Sequence, residues 1–298
     1  MALATDDVIR YQFRTDGDSI MSTEAKPVTL DHMVVLVLNL KAAATQWQAA
    51  GFRVRAGGQH RIGSRNALIV LHDGTYIELI QILSRSRRMR LGLMHKLGLL
   101  NRAIKEWNPF EQHFIKLGLK EPGLVDFAVS SQSIVTILTR LRAADIKYLG
   151  PAKGTRKQKD GKVIRWQCGM PIARELPFLC IDETDRCLRV PSVSVNEHKN
   201  GAQSISRLVV LVENLKRSRK QYEVLLEQSG RDVEVFQDAG CVEFSLGECS
   251  LVLTQPKGRQ TRLGRQLLKN GEGPLEITIR GARAGLAAHQ LGEFLRFE

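Results

Sequence analysis

Two stretches of this chain are near copies of each other: residues 30–40, LDHMVVLVLNL, and residues 205–215, ISRLVVLVENL. Each is an apolar run that ends in Asn-Leu and precedes a stretch with helical periodicity. A repeated strand–helix unit indicates a fold assembled from copies of one small module. The copies differ where chemistry is concerned, because His32 in the first corresponds to Arg207 in the second. Any catalytic or metal site is therefore expected in the first copy.

The segments after the first copy extend the unit to a strand, a helix and three more strands. Residues 41–50 are alanine-rich and contain no helix breaker, so they are predicted to form the helix. Asp73-Gly74 is a hairpin turn signal, and Gly57-Gly58 predicts another turn. The three predicted strands are residues 52–55, 66–72 and 75–83.

The same order of elements recurs three times more, the last time incompletely. The second unit is predicted as a strand at 124–130, a helix at 133–144, strands at 146–149, 162–167 and 176–182, and a basic loop at 154–160. The third unit is predicted as a strand at 208–212, a helix at 216–228 and strands at 233–236, 241–246 and 249–254. The fourth is predicted as a strand at 275–280 and a helix at 282–297 only.

This order defines the domain organisation. The predicted fold class is α+β, built from repeated βαβββ modules with a helical insertion at residues 84–121. Residues 1–26 are polar and pattern-free, so they are predicted to be a flexible tail. A first domain is expected at residues 27–190 and a second half at residues 200–298, with a polar linker between them.

Composition excludes several classes of protein. The chain has 298 residues, of which 43% are hydrophobic and 25% are charged, as in ordinary globular proteins. No apolar run has the length of a membrane-spanning helix, and the start lacks the layout of a secretory signal. The five cysteines are odd in number and form no CxxC pair, so reduced thiols are expected. A cytoplasmic location is the resulting expectation.

The chain is strongly basic, with a net charge of +13, and part of this charge is concentrated at residues 84–105. Arginines and lysines alternate there with leucines at helical spacing, which predicts a basic amphipathic helix or helix pair. One interpretation is an anionic membrane surface or nucleic acid as partner. The favoured interpretation is a helical insertion, peripheral to the sheet, with a solvated basic face.

Several short motifs occur in an order that resembles the glyoxalase-like branch of the vicinal oxygen chelate superfamily. In the first unit they are Leu30-Asp31-His32, Gly57-Gly58-Gln59-His60, Asn66-Ala67-Leu68-Ile69 and the run at residues 73–80. Later they are the run at residues 123–128, Asp160-Gly161, Trp166, the run at residues 175–178, Arg189-Val190-Pro191 and the run at residues 198–202. The resemblance implies paired βαβββ modules that form a cup-shaped mixed sheet. It implies no single activity, because the superfamily contains isomerases, lyases, dioxygenases and non-catalytic binding proteins.

The resemblance also implies a divalent metal in the cup, with ligands on the first and last strand of each unit. It selects His32 and Glu78 in the first unit and Asp126 in the second, and an imidazole with carboxylates suits Zn, Fe, Mn or Ni. Cys180 stands opposite Glu78 in the second unit and departs from the family pattern. In the third unit Arg207 and Leu251 replace the two ligands. Without a metal, His32 would be a hydrogen-bonded core histidine and Glu78 would face outward.

Contacts for a substrate are expected on the walls of the cup. The family motif selects His60 and Asn66, while Arg65 is suited to hold a carboxylate or carbonyl oxygen and Trp166 to border an apolar substrate. The alternatives are a solvated loop histidine, a surface arginine and a core tryptophan. Glu78 or His60 would be the group that moves a proton. The expected function is binding of a small, partly apolar, oxygen-bearing substrate in the cup by a metal-dependent lyase, isomerase or dioxygenase. The alternative is a small-ligand binding protein without metal on the same scaffold. A homodimer is allowed for, whereas no nucleotide cofactor, nucleic acid partner or membrane association is expected.

Overall fold

The computed structural model describes residues 8–13, 27–60, 63–107, 109–158, 160–194, 197–283 and 290–298. For residues 8–13, His60 and Pro109 it describes the backbone only. No helix in these ranges is both long enough and apolar enough to cross a membrane.

The first half of the chain forms a curled mixed sheet from two βαβββ modules. The first module is β2 (Thr29–Leu36), α1 (Leu40–Ala49), β3 (Arg55–His60), β4 (Arg65–Val70) and β5 (Tyr76–Gln81). The second is β6 (Gly123–Ser130), α5 (Ile134–Ala143), β7 (Tyr148–Lys157), β8 (Val163–Pro171) and β9 (Phe178–Asp182). Their strands are ordered β3-β4-β5-β2-β6-β9-β8-β7, and β1 (Val8–Phe13) pairs with both outer strands and closes the curl. The concave space inside this sheet is the cup.

The second half forms a separate sheet with the order β11-β12-β13-β10-β14-β15. Its complete module is β10 (Ser204–Leu211), α7 (Leu215–Leu226), β11 (Arg231–Val233), β12 (Ala239–Leu246) and β13 (Cys249–Pro256). After it come α8 (Arg262–Asn270), β14 (Gly273–Arg280) and β15 (Leu295–Phe297). The predicted α+β class and the repeated modules are therefore confirmed.

The repeat extends to irregularities of the backbone. The pairing of β2 with β6 shifts register between Leu30 and His32. The pairing of β10 with β14 shifts at the corresponding place, between Ile205 and Arg207. A bulge of this kind adds one residue and re-aims the side chains beyond it. In the first module the re-aimed side chain is His32.

The two sheets share one hydrophobic core. Along β2, Met33 and Val35 lie in a cluster that also contains Leu208, Val210 and Ile277 of the second sheet. Val34 and Leu36 alternate with them and face the cup, as the two-residue period of a strand requires. The second half is thus packed against the convex side of the first sheet.

The insertion does not lie at the periphery of the fold. It forms α2 (Arg85–Lys96), α3 (Leu100–Ala103) and α4 (Pro109–Gly118). Leu100, Ile104 and Phe114 are buried in the same cluster as Val34 and Leu36 on the cup side of β2. The prediction of a peripheral insertion is wrong, because its apolar side chains are part of the core inside one end of the cup.

Four local predictions are corrected by the structure. Gly57-Gly58 is not a turn but part of β3, and the basic loop at residues 154–160 belongs largely to β7. The predicted flexible tail contains β1, whereas residues 1–7 and 14–26 lie outside the described residues. Residues 291–297 of the predicted helix region are not helical, and β15 adds a parallel strand to β14, whereas residues 284–289 lie outside the described residues. At residues 57–58 and 154–157, the glycine and lysine content predicted loops, but the backbone pairs with neighbouring strands.

The linker between the halves is fixed by polar contacts. His198 is buried, accepts a hydrogen bond from the Arg53 backbone N–H at 2.9 Å and lies 2.9 Å from the Val70 carbonyl oxygen. Burial lowers the pKa of the His198 imidazole below its ordinary value. A neutral histidine here joins the linker to the first module.

Candidate functional site

The site of the first module is built on β2 and β5, which are parallel neighbours at the centre of the curled sheet. Their register pairs His32 with Tyr76 and Val34 with Glu78. Because side chains alternate along a strand, His32 and Glu78 both project into the cup. His32 Nε2 and Glu78 Oε2 are 3.6 Å apart. Both side chains are buried, and that of Glu78 is the more open, at 11% exposure against 4% for His32.

Aromatic rings fix the plane of the His32 imidazole. The ring of Tyr76 is stacked on it with centroids 4.5 Å apart and an interplanar angle of 14°. Phe178, from the second module, meets it edge-on at 5.2 Å. Such contacts restrict the rotation of the imidazole and hold Nε2 toward Glu78.

The other nitrogen of His32 is held by Asp31. His32 Nδ1 lies 2.6 Å from Asp31 Oδ2. Burial by itself would raise the pKa of Asp31, but the charge of Arg189, the His32 contact and Arg186 hold it well below its usual value. The ionised Asp31 accepts a hydrogen bond from the Nδ1–H group of His32. In a neutral imidazole of this tautomer, the lone pair is on Nε2.

Arg189 anchors Asp31 from the second module. Its guanidinium donates to Asp31 Oδ1 at 3.1 Å, to Asp182 Oδ1 at 2.6 Å and to the Tyr76 hydroxyl at 2.6 Å. Arg186 also donates to Asp31. The sequence prediction missed this network, although Arg189 stands in one of the motifs that carry the family resemblance. An unpaired aspartate inside an apolar strand was the available signal.

Glu78 is held from the opposite side by Asn66 on β4. Asn66 Nδ2 donates to Glu78 Oε1 at 2.5 Å, and Asn66 Oδ1 accepts from the Gly58 backbone N–H at 2.6 Å. Gly57 must be a glycine for this arrangement, because a Cβ there would lie 2.0 Å from Asn66 Oδ1. The predicted substrate ligand Asn66 is therefore occupied in positioning Glu78.

Two side chains of the second module, Trp166 and Cys180, belong to the apolar cluster inside the cup. Trp166 on β8 is buried over Gly154, where a Cβ would lie 2.3 Å from the indole. Cys180 faces Cys168 across the β8–β9 pair, and the Cys168 contact together with burial raises the pKa of its thiol well above the ordinary value. Trp166 and Cys180 therefore add apolar surface beside Phe178.

Asp126, the third predicted metal ligand, has a partner of its own. Its Oδ2 lies 2.8 Å from His113 Nε2 on α4, and its Oδ1 accepts the Phe127 backbone N–H at 2.9 Å. Within the described ranges, no group of three or more His, Cys, Asp or Glu side chains is arranged to hold a metal ion. His113 was missed by the sequence prediction because the insertion carries no recognisable motif.

Of the two other predicted residues, Arg65 lies away from the site and the side chain of His60 is not described. Arg65 precedes Asn66 on β4, so the strand alternation turns it away from the cup, and it is exposed. Arg65 is therefore removed from the set of substrate contacts. The side chain of His60 lies outside the described residues.

In the third module the strand register places Val252, not Leu251, at the position that corresponds to Glu78, because Arg207 pairs with Ser250.

The donors of the first module suit a divalent metal, although they supply two ligands only. Two ligands about 2.1 Å from one ion at the tetrahedral angle are separated by about 3.4 Å, close to the spacing of His32 Nε2 and Glu78 Oε2. Metal-binding histidines usually pass their second N–H to a carboxylate, as His32 does to Asp31. The remaining positions of such an ion would be open to water and substrate.

Comparisons with known proteins agree with the fold. A family model described as a glyoxalase-like domain matches residues 30–226. No curated protein matches the sequence significantly. A hypothetical protein from Staphylococcus aureus has 15% identity and a TM-score of 0.63, with 91% of this chain and 98% of that chain covered.

A second solved structure is a variant of 4-hydroxymandelate synthase from Streptomyces coelicolor. It has 13% identity and a TM-score of 0.51, and the match covers 85% of this chain and 71% of that chain. At these identities the likeness shows the fold alone.

Proposed function

The chain belongs to the glyoxalase-like domain family, and from this premise we propose that it is an enzyme that moves a proton on a small, partly apolar, oxygen-bearing substrate. The reaction would be that of a lyase or isomerase, assisted by a divalent metal held by His32 and Glu78. The observation that carries the proposal is the 3.6 Å pair of His32 Nε2 and Glu78 Oε2, with each side chain fixed from behind.

The metal, when bound, would polarise a carbonyl or hydroxyl oxygen of the substrate and stabilise the anion that forms. Zn, Fe, Mn and Ni all accept an imidazole and a carboxylate as ligands. Asp31 and Asn66 would support the two ligands without touching the ion.

Glu78 is the candidate base. Asn66 donates to its Oε1, so Oε2 is the oxygen directed to the substrate space beside His32. Because the same Oε2 would be the metal ligand, Glu78 would take a proton from a carbon next to a carbonyl group only after releasing the ion, and would then return the proton to a neighbouring atom. Trp166 and Phe178 supply apolar surface that excludes water from the reacting atoms.

A substrate must be small, because the insertion fills part of the cup. Leu100, Ile104 and Phe114 pack against Val34 and Leu36 beyond the polar pair. Tyr76 and Phe178 contact the His32 ring, and Trp166 lies in the same apolar cluster as Phe178. Aromatic walls around one polar edge fit a compact molecule with adjacent oxygens and one apolar face.

The proposal is tested by hydrogen–deuterium exchange at the carbon next to the carbonyl of small ketones and hydroxyketones, followed by NMR in deuterated water. We expect the metal-supplemented protein to accelerate exchange, and Glu78→Gln to abolish the acceleration. Asp185→Asn, at the exposed N-cap of α6 (Arg186–Arg189), is the control that keeps it. If every ketone that binds exchanges at the uncatalysed rate, the proposal is wrong.

A specific observation favours a second candidate, a binding protein without catalysis. The positions of the second module that correspond to His32 and Glu78 carry Asp126, which lies 2.8 Å from His113, and the buried Cys180. A cup with one polar edge can hold a small ligand by hydrogen bonds alone. Saturable binding without exchange in the experiment above, in the absence of metal, would support this function.

A further inference from the structure

We propose that α2 docks the protein onto an anionic membrane surface, with Met89, Leu93 and Leu97 inserted into the lipid. This proposal concerns a surface away from the cup and does not depend on the enzymatic function. The sequence alone favours a solvated basic face for this segment. The positions of its apolar side chains change that interpretation.

The inner side of α2 packs against the core of the protein. Leu91 is buried in the core, and Met94 packs against the same cluster. Arg88 donates to the backbone carbonyl oxygens of Gly118, and of Lys120 at 2.8 Å, which fixes the helix against the end of α4. The rotation of α2 about its own axis is therefore set by the fold.

The outer side of the helix is apolar where a solvated helix would be polar. Met89, Leu93 and Leu97 are spaced by four residues, so they form one stripe along the helix. Leu93 is two residues from Leu91, which places it about 200° around the helix axis from the buried side. The exposures of the three are 67%, 60% and 62%.

Exposed hydrophobic side chains are more frequent in this stripe than on the rest of the described surface. Over the ranges that the structure describes, ten large hydrophobic side chains are well exposed, and four of them fall within residues 89–99. The fourth is Leu99, which is 48% exposed just beyond the end of α2. Scattered exposed leucines are normal on a protein surface, whereas a contiguous stripe marks an interaction site.

Cations flank the stripe on both sides. Arg85 and Lys96 lie along one edge of it and Arg90 along the other, and all three are exposed. Residues 84–105 contain seven lysines and arginines but neither aspartate nor glutamate. An apolar stripe between rows of cations is the arrangement by which amphipathic helices lie in the interface of an anionic bilayer.

The choice of a lipid surface over nucleic acid follows from the stripe itself. Phosphate groups of a nucleic acid would neutralise the cations but would leave three apolar side chains against a polar backbone. Acyl chains accept the apolar side chains while lipid headgroups meet the cations, so a bilayer satisfies both sets. The net charge of +13 adds attraction at longer range.

The test is flotation of the full chain with vesicles of phosphatidylcholine alone or mixed with phosphatidylserine. We expect binding to the mixed vesicles only, with an affinity that falls as the salt concentration rises. Leu93→Gln should weaken the binding about tenfold, because one inserted side chain is lost. Arg90→Gln should weaken it about fivefold. The control Leu268→Gln changes an equally exposed leucine on α8 and should leave binding unchanged.

Several outcomes would overturn the proposal. They are a lack of binding to mixed vesicles at low salt, binding that Leu93→Gln does not weaken, and capture by duplex DNA that depends on the cations but not on Leu93. A concentration-dependent dimer that Leu93→Gln dissociates would assign the stripe to a second copy of the chain instead. The melting temperature of each variant shows that it is folded, since all of the changed side chains are exposed.

Discussion

Asp31 Oδ2 lies 2.6 Å from His32 Nδ1, so an aspartate at a strand bulge holds the imidazole that faces the cup. The two residues are adjacent in the chain, but they connect different parts of the molecule. Asp31 binds Arg189 of the second module, and His32 faces Glu78 of the first. The contact links the assembly of the two modules to the orientation of the candidate ligand.

Replacing Asp31 with asparagine should therefore destabilise the whole fold. The change leaves the buried charge of Arg189 with one carboxylate, Asp182, in place of two. We expect a loss of about 3 kcal/mol in the free energy of unfolding, measured by urea denaturation. Asp185→Asn, at an exposed helix cap that asparagine can also form, should change the free energy of unfolding little. Equal costs for the two variants would show that the Arg189 network is not a main support.

Gly57→Ala should displace the amide of Asn66. The added Cβ would lie 2.0 Å from Asn66 Oδ1, so the hydrogen bonds of Asn66 to Gly58 and Glu78 cannot both persist. We expect a destabilisation of about 1–3 kcal/mol and a weaker affinity for any ligand of Glu78. Gly92→Ala on α2 is the control, because nothing lies within 4 Å of its added Cβ. The control should be neutral or slightly stabilising.

The burial of the insertion is tested by two adjacent leucines. Leu100 is 2% exposed and packs in the cup, whereas Leu99 is 48% exposed. Leu100→Ala should lower the free energy of unfolding by about 2–5 kcal/mol, because it leaves a cavity. Leu99→Ala should change it by about 0.5 kcal/mol or less. Similar small effects of both changes would show that the insertion is peripheral to the fold.

His198 should make stability depend on pH in the mildly acidic range. Its pKa is lowered by burial in the folded chain, so the unfolded chain binds a proton more readily. The stability that the neutral imidazole contributes is complete above about pH 6.5 and is lost as the pH falls through the lower folded value. Urea denaturation at about pH 7 and at successively lower pH should show the loss in the natural chain and a weaker one in His198→Gln. A parallel pH dependence in both would contradict the assignment.

More of the fold than of the candidate site could be predicted from the sequence. The strands and helices of the modules follow from apolar runs, glycines and the internal repeat, because these patterns are local. The path of β7 through a lysine-rich segment could not be predicted, since pairing with β8 and β1 overrides its loop-like composition. The position of the insertion depends on which surface its leucines cover, and no local pattern specifies that surface.

At the site, the approach of His32 to Glu78 could be predicted only through the family resemblance. The contacts that hold the pair come from distant segments, such as Arg189 for Asp31 and Asn66 for Glu78. His113, which lies on the insertion, contacts Asp126, and the family pattern does not contain this insertion. Tertiary contacts of this kind leave no signature in a single sequence.

The most direct test of the central claim is calorimetric titration of the purified chain with Zn²⁺ and Mn²⁺. The claim is that His32 and Glu78 bind one divalent metal between them. The account predicts binding of one ion per chain, lost in both His32→Ala and Glu78→Ala and retained in His113→Ala. Absence of binding, or binding that survives both His32→Ala and Glu78→Ala, would contradict it.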